Sequence, residues 1–398
     1  MKQKKRIYKW LTMWICFLAC FFTCTLTVYG QDSGSSAAEQ DQLIAYEVNL
    51  FNWEEIEKLQ DSLKTSMPEL NAFDFKTEVI KMVKGEKSFS VHQVLNLIGA
   101  MLFEEIGVFI QLGVRFVLIV LLCNLLQTLS SSFQSQNTTK VSFFVCYLVV
   151  IYSVIQSFFI MAQLAKGAID KMSEIMFVAI PSLLAFLSTT GYVSSAGAMA
   201  PVIIGALNLS TYVIKNLILP CIISVVVLEV ISTMSDDFKI DKFIALFYSS
   251  MKWILRSILL ISVSILGFYK MTLPYVDTTV KKAAVNISSA FIPVIGDAIG
   301  GAVDFIVNCS MLVKNAFSIG VILWIVAIVS LPLIKILAYV IVYHVAAAAI
   351  EPLGDKKMAG IASKLAKGCE FIMSCVGIVT ILCIVVLLIC ISIGGNML

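Results

Sequence analysis

Long apolar stretches that carry almost no charge restrict most strongly how this chain can fold. They run over residues 107–129, 141–164, 175–190, 197–214, 216–234, 257–273, 318–342 and 371–393. Most are close to the roughly 20 residues with which an α-helix crosses a bilayer. Because lipid offers the main chain no hydrogen-bond partner, the backbone of such a stretch must satisfy itself as a helix. The sequence therefore predicts an all-α, polytopic membrane protein with about eight transmembrane helices, in a range of seven to nine.

Composition supports this class and argues against others. Of the 398 residues, 59% are hydrophobic and 14% are charged, whereas a soluble domain has about 45–50% and about 25%. The net charge of +3 is small and dispersed, with no basic tract of the nucleic-acid-binding type. The 11 cysteines include no CxxC pair and lie mostly in or beside apolar segments, which indicates packing residues. With two histidines, a histidine-based metal site is not expected.

The N-terminus has the order of segments found in a secretory signal peptide. Basic residues in "MKQKKRIYKW" precede an apolar run over 10–28, and the small and polar "VYGQDSGSSAAEQ" follows. This pattern predicts a signal peptide over residues 1–30, cleaved after Gly30. The alternative is an uncleaved anchor, because the apolar run is long enough to span. In both cases the residues from 31 onward emerge on the far side of the membrane.

Residues 31–105 form the one sustained polar region and are expected to be a small helical extracytoplasmic region. Two or three short helices are expected: apolar residues recur at helical spacing from Trp53 until Pro68 interrupts, a second helix begins near Phe73 and stops at Gly85, and Ser90 is the candidate cap of a third. Residues 106–398 then make up the polytopic membrane domain.

Alternation of the spans places residues 235–256 and 343–370, both rich in lysine, in the cytoplasm, as the positive-inside rule favours. Residues 191–234 are the weak point, because their glycines and prolines favour broken or re-entrant helices. A single span there would move every later loop to the other side. Lys215-Asn216 and Lys314-Asn315 each precede an apolar span, a faint hint of the inverted repeats of secondary transporters.

A polar stripe interrupts the apolar stretch 291–315. At 100° per residue, its strongly polar side chains lie within about 40° of one another, and a glycine pair flanks them. The stripe comprises Asp297, Gly300, Gly301, Asp304, Asn308, Lys314 and Asn315. An aspartate at the centre of a membrane helix costs roughly 2.5–3.5 kcal/mol on insertion scales. The stripe therefore lines a wetted pathway or contacts a partner, or else it lies on the membrane surface as an amphipathic helix.

Ionisable residues inside spans are further candidates. Lys335 lies within the seventh span and is assigned either to assembly or conduction or to pairing within the bundle. Glu229, near the end of the fifth span, is expected to snorkel to the interface. The chain contains no HExxH and no GxSxG motif, so it is not expected to be an enzyme, and no catalytic, cofactor-binding or metal-binding residues are predicted.

Five strings occur in a characteristic order behind the N-terminal segment. They are "IPSLLAFLSTTGYVSSAGAMAP", "ISTMSDDFKIDKF", "FIPVIGDAIGGAVD", "SLPLIKILAY" and "EPLGDKKM". Their order and spacing resemble the stage III sporulation protein AE family of endospore-forming bacteria. The resemblance extends from about residue 90 to the end, and residues 31–89 carry no family motif.

The resemblance implies a multi-pass protein of the mother-cell membrane that surrounds the forespore. It further implies a subunit of a channel-like or secretion-like complex that supports forespore development. The expected partners are other stage III sporulation A-series proteins, indirectly stage II sporulation protein Q from the forespore, and membrane lipid. The family brings no catalytic residues. The alternative from the residues themselves is a stand-alone secondary transporter of a small solute.

Overall fold

The computed structural model of the chain describes residues 53–66, 74–84, 136–233, 240–291, 296–353 and 356–393, together with scattered positions between 99 and 125. All of them fall within one compact unit, Leu43–Leu398. The predicted signal peptide and most of the first predicted span lie outside the described residues. Within the described part, every regular element is helical.

Eight α-helices follow one another along the described part of the chain. They are α1 (Trp53–Ser66), α2 (Phe75–Val83), α3 (Gln136–Thr189), α4 (Val193–Val213), α5 (Leu219–Ser232), α6 (Asp241–Phe291), α7 (Gly296–Ile350) and α8 (Lys356–Ser392). A π-helical turn, Ile214–Ile218, joins α4 to α5 without a break, and a 3-10 turn, Glu351–Leu353, follows α7. Of the two or three short helices predicted in the polar region, two correspond to α1 and α2, and the start of the third, near Ser90, lies outside the described residues.

Five helical segments in the described residues are long and apolar enough to cross a membrane. They are Ile151–Thr189, Val193–Ser232, Asp241–Thr272, Phe305–Ile350 and Met358–Ser392. The predicted spans 141–164 and 175–190 both lie in the continuous helix α3, and 197–214 and 216–234 both lie in the rod formed by α4, the π turn and α5. The predicted breaks within 191–234 are therefore wrong beyond Tyr192, because Pro201 and Pro220 sit inside that rod without ending it.

The chain reverses direction between α3 and α4 at Gly191. This glycine has a φ of 89°, a left-handed conformation that side chains rarely adopt. The Gly191 N–H donates to Ser188 O at 3.0 Å and the Tyr192 N–H donates to Leu187 O at 3.1 Å, which is the Schellman pattern of a helix C-terminus. Gly191 therefore ends α3 and makes α3 and α4 an antiparallel hairpin.

Helix α8 lies at the centre of the bundle, in contact with α3, α5, α6 and α7. Its cysteines, among them Cys375, Cys383 and Cys390, are buried free thiols and act as small packing residues, as predicted. Gly368 faces Val226 of α5 and Phe158 of α3, and a Cβ at this glycine would approach them to 2.5 and 2.9 Å. Close helix packing at this position therefore depends on the absence of a side chain.

Helices α6 and α8 run in the same direction, because both are antiparallel to the α4–α5 rod. Along α6, Tyr248 contacts Glu229 and Asp277 contacts Ser195. Along α8, Lys367 contacts Glu229, whereas Cys383 lies beside Leu207 in a small cavity. Residue numbers thus rise on α6 and α8 as they fall on the rod.

The α1–α2 hairpin packs on the outside of α7. Phe75 is buried, with its ring centroid 5.5 Å from that of Phe317 and 5.0 Å from that of Trp324. Gly320 lies between these two residues, and a Cβ there would meet Val79 at 3.0 Å. The Phe75 N–H, at the start of α2, donates to Gln60 Oε1 of α1 at 3.1 Å, which joins the two short helices.

Candidate functional site

Helix α7 carries all the residues of the predicted polar stripe. Asp297, Gly300, Gly301 and Asp304 lie in its first turns, and their side chains are outside the described part of the structure. Asn308 is exposed. Lys314, in contrast, is 1% exposed, and Asn315 beside it is half-buried. The stripe thus leads from an exposed position into the protein interior, and its role as a pathway or interface stays a prediction.

Lys314 binds the C-terminal end of α8. Its ammonium group donates to the carbonyl oxygen of Ile393 and lies 3.5 Å from that of Ile391. The last carbonyls of a helix have no intrahelical partner and carry partial negative charge, so a lysine there is favourable. Asn315 Oδ1 and Ser392 Oγ, next to these groups in sequence, are buried without a hydrogen-bond partner in the structure. Lys314 therefore connects α7 to the C-terminal helix α8 beside these buried polar atoms.

Asp277 of α6 caps the start of α4 from a position 82 residues further along the chain. The Ser194 N–H donates to its Oδ1 at 3.0 Å, the Ser195 N–H donates to its Oδ2 at 2.8 Å, and the Ser195 hydroxyl also donates to Oδ2. The residue at the N-cap position, Tyr192, offers no side-chain cap of its own. Burial alone raises the pKa of Asp277, but the hydrogen bonds from Ser195 and Ser194 outweigh it, and the net pKa is lowered.

A charged pair marks the π turn between α4 and α5. The Lys215 ammonium donates to Asp170 of α3, and one turn away Ser173 Oγ lies 3.4 Å from Thr211 Oγ1. Asp170 is 21 residues before Gly191 and Lys215 is 24 residues after it, so the pair lies about 30–35 Å from the hairpin turn. Turns of π-helix occur often at functional positions, and here the turn coincides with a cation inside an apolar rod.

Glu229 is the centre of a buried network that joins α5, α6 and α8. It is 6% exposed, accepts a hydrogen bond from the Tyr248 hydroxyl at 2.8 Å and pairs with Lys367 at 3.6 Å. The Lys367 ammonium also lies 3.8 Å from the Tyr248 ring centroid, a cation–π contact. Tyr248 and Lys367 satisfy the Glu229 carboxylate near the end of α5, and whether Glu229 reaches the membrane interface stays a prediction.

The remaining intramembrane candidates lie on the second half of α7. Lys335 is half-buried and has an interaction partner. His344 lies 3.3 Å from Glu370 of α8, and Tyr343 shares a hydrogen bond with Ser157 of α3. Across the described residues, no group of three or more His, Cys, Asp and Glu side chains is arranged to hold a metal ion.

Sequence reasoning did not identify Asp277 or Asp170 as site residues. Each binds a partner on another helix, and the partner of Asp277 is more than 80 residues away. The sequence offers no signal for Asp277, since it lies four residues after the apolar run 257–273, at a position where a charge costs little.

Comparison with known proteins decides the family. The family model for stage III sporulation protein AE matches residues 73–394, which is most of the chain. The chain belongs to the stage III sporulation protein AE family. It is 28% identical over 320 residues to stage III sporulation protein AE of Bacillus subtilis (strain 168), a match that covers 80% of this chain and 80% of that protein. No solved structure matches.

The match to the stage III sporulation protein AE family confirms the resemblance found in the five strings. It begins at residue 73, earlier than the expected start near residue 90. The matched part thus includes α2 and the whole described bundle but leaves out α1. The contact of α2 with Phe317 and Trp324 accordingly lies within the family region.

Proposed function

We propose that this protein is a membrane subunit of a channel-like or secretion-like complex that links the mother cell to the forespore and is needed for forespore development. Membership of the stage III sporulation protein AE family supports a role in sporulation, and five long apolar helices support a place in the membrane. The proposed location is the mother-cell membrane around the forespore. The proposed partners are other stage III sporulation A-series proteins and, indirectly, stage II sporulation protein Q.

The observation that carries this proposal is the docking of the α1–α2 hairpin on α7. Phe75 and Val79 are buried against the bundle, so the hairpin is held in a fixed orientation. Its opposite surface exposes charged side chains, including Glu54, Lys58 and Asp61. A rigid, charged surface on an exported segment is suited to recognition of a partner by charge complementarity.

The test is recovery of partners from sporulating cells with a tagged full-length chain after mild cross-linking. We expect other stage III sporulation A-series proteins in the purified material. The double variant Glu54→Lys with Lys58→Glu keeps an ion pair at spacing i,i+4 but exchanges the positions of the two charges. It should recover fewer partners while the protein accumulates normally. Purification of the unchanged chain alone would contradict the proposal.

The polar stripe on α7 is tested separately, through its two aspartates. If Asp297 and Asp304 line a pathway or contact a partner, replacement of both by leucine lowers the yield of heat-resistant spores while the protein still accumulates. Unchanged spore yield would favour a solvated surface helix.

The secondary-transporter alternative has lost its main support, because the described rod from Val193 to Ser232 is continuous. The two Lys-Asn pairs that hinted at a repeat also differ in setting, since Lys215 binds an aspartate and Lys314 binds main-chain carbonyls.

A further inference from the structure

Helix α6 presents a stripe of exposed apolar side chains. The stripe includes Leu260, Ile261, Ile265, Phe268 and Met271. Trp253, 71% exposed, and Tyr275, 77% exposed, flank these five residues, and two further exposed apolar side chains, Phe243 and Leu246, precede Trp253 on the same helix. These two residues are 22 positions apart, about 33 Å along a helix, close to the roughly 30 Å of the hydrocarbon core. Tryptophan and tyrosine are enriched at membrane interfaces, and Lys252 and Arg256 lie beside Trp253. The α6 stripe therefore has the features of a lipid-facing surface.

Contacts along α8 relate the depth of residues on α6 to the depth of residues on the other side of the bundle. Phe371 stacks on Tyr248 at 4.7 Å and lies beneath the Lys252 ammonium at 5.3 Å. Because α6 and α8 run in the same direction, Ile393, 22 residues beyond Phe371, is level with the last turn of the α6 stripe. Lys314 of α7 binds the Ile393 carbonyl, so Lys314 is at that level too.

The site at which the hairpin docks on α7 lies slightly deeper in the bundle than Lys314. Phe317 follows Lys314 by three residues and Trp324 follows it by ten, so the site lies about 5–15 Å further along α7. That depth corresponds to the outer half of the α6 stripe, near Phe268. The hairpin carries the Lys76–Glu57 ion pair at 3.1 Å directly beside Phe75, with Glu57 exposed and Lys76 half-buried. Charged groups are expensive in hydrocarbon, so lipid cannot cover this side of the bundle at that depth.

We propose that the α7 side of the bundle, covered by the α1–α2 hairpin, borders an aqueous vestibule open to the extracytoplasmic space, whereas the α6 side faces lipid. The hairpin fits this boundary because Phe75 and Val79 pack against α7 while its charged surface faces the water. The vestibule does not depend on the proposed complex, since it follows from the depth of the hairpin relative to the α6 stripe, and its opening to the extracytoplasmic space rests on the predicted side of the hairpin.

The experiment compares two single cysteines at matched depth in the full-length chain, in spheroplasts of a bacterial host. Glu57→Cys places a thiol on the hairpin, and Phe268→Cys places one on the α6 stripe, where the native side chain is 67% exposed. A membrane-impermeant maleimide reports access to water. A bimane probe with nitroxide-labelled lipid reports access to the hydrocarbon, and the unchanged chain gives the background from native cysteines.

We expect the maleimide to react at Glu57→Cys roughly tenfold or more faster than at Phe268→Cys, since a solvated thiol ionises and a thiol in lipid does not. Nitroxide lipid should quench the probe at position 268 and leave position 57 unaffected. Quenching at position 57 overturns the vestibule. Equal labelling at both positions also overturns it, because the α6 stripe would then lie outside the bilayer. Labelling at position 57 only after permeabilisation overturns the extracytoplasmic opening.

Discussion

Replacement of Asp277 by asparagine removes the charge that caps α4 and keeps the side-chain shape. The aspartate accepts hydrogen bonds from two main-chain N–H groups and one hydroxyl, and Ser195 is fully buried. Asparagine offers one acceptor oxygen and turns its NH2 group toward the remaining donors. Loss of a cap costs about 0.5–2 kcal/mol, and loss of a negative charge at a helix N-terminus costs a further 0.3–1 kcal/mol or so. We therefore expect Asp277→Asn to lower the free energy of unfolding by about 2 kcal/mol at neutral pH.

The assay is unfolding in mixed detergent micelles by SDS titration, followed by circular dichroism. Asp241→Asn is the matched control, because Asp241 lies in the exposed first turn of the same helix. Its loss should cost less than about 1 kcal/mol. Asp277→Ala leaves all three donors without an acceptor at roughly 1–3 kcal/mol each, so it should be more destabilising than Asp277→Asn.

The pH dependence gives a second test of the same reasoning. The pKa of Asp277 is lowered from its ordinary value of 3.8 in the folded protein. Its contribution to stability is therefore complete above pH 3.8 and is lost as the pH falls through the folded-state pKa. The difference in stability between the parent and Asp277→Asn should shrink between pH 5 and about pH 3. Equal stability of the two proteins at pH 7, or a difference that is the same at both ends of this range, would refute the capping role.

Three further substitutions, two of them each with a matched glycine control, test the packing of the bundle. Gly368→Ala should destabilise the bundle by about 1–3 kcal/mol, because the added methyl group overpacks against Val226 and Phe158. Its control is Gly167→Ala on α3, where a Cβ meets nothing within 4 Å. In the same SDS titration, this control should stabilise the bundle by about 0.5–1 kcal/mol. Gly320→Phe should displace α2 and expose the hairpin to limited proteolysis, and Gly267→Phe, with open space at its Cβ, should leave the cleavage pattern unchanged. Tyr248→Phe should lower the free energy of unfolding by about 1.5–3 kcal/mol, because it removes a hydrogen bond to the buried Glu229 carboxylate. A decrease below 0.5 kcal/mol or so would show that Lys367 alone satisfies Glu229.

The helical class and the two short N-terminal helices could be predicted from periodicity, because both depend on local sequence. The span boundaries within α3 could not. Residues 165–174 contain Lys166, Asp170 and Glu174, which suggest a loop between two spans. Their spacing of four residues also suits one face of a helix, and Asp170 is paired with Lys215. A charge that has a partner on another helix does not end a membrane helix, and the sequence gives no sign of that partner.

The later loops keep their predicted side of the membrane although the number of spans is smaller than predicted. Two predicted spans merge in α3 and two merge in the α4–α5 rod. Each merger on its own moves every later loop across the membrane, and two mergers cancel. If each continuous helix crosses once, the lysine-rich segments after α5 and after α7 remain on the cytoplasmic side, as the positive-inside rule favours.

The level of Lys314 bears on why acids occur in an apolar stretch at all. Lys314 binds the end of α8 and is level with the end of the α6 stripe at Tyr275. Lys335 lies 21 residues further, about 31 Å, so these two lysines bracket a segment of α7 as long as a bilayer is thick. Asp304 lies ten residues before Lys314 and Asp297 lies 17 before it, about 15 and 25 Å beyond that end. The first turns of α7 therefore project past the bilayer-length part of the bundle, where a carboxylate costs little. This geometry favours contact with a partner or with solvent over the lining of an intramembrane pathway, and it leaves Lys314 as the buried end of the stripe.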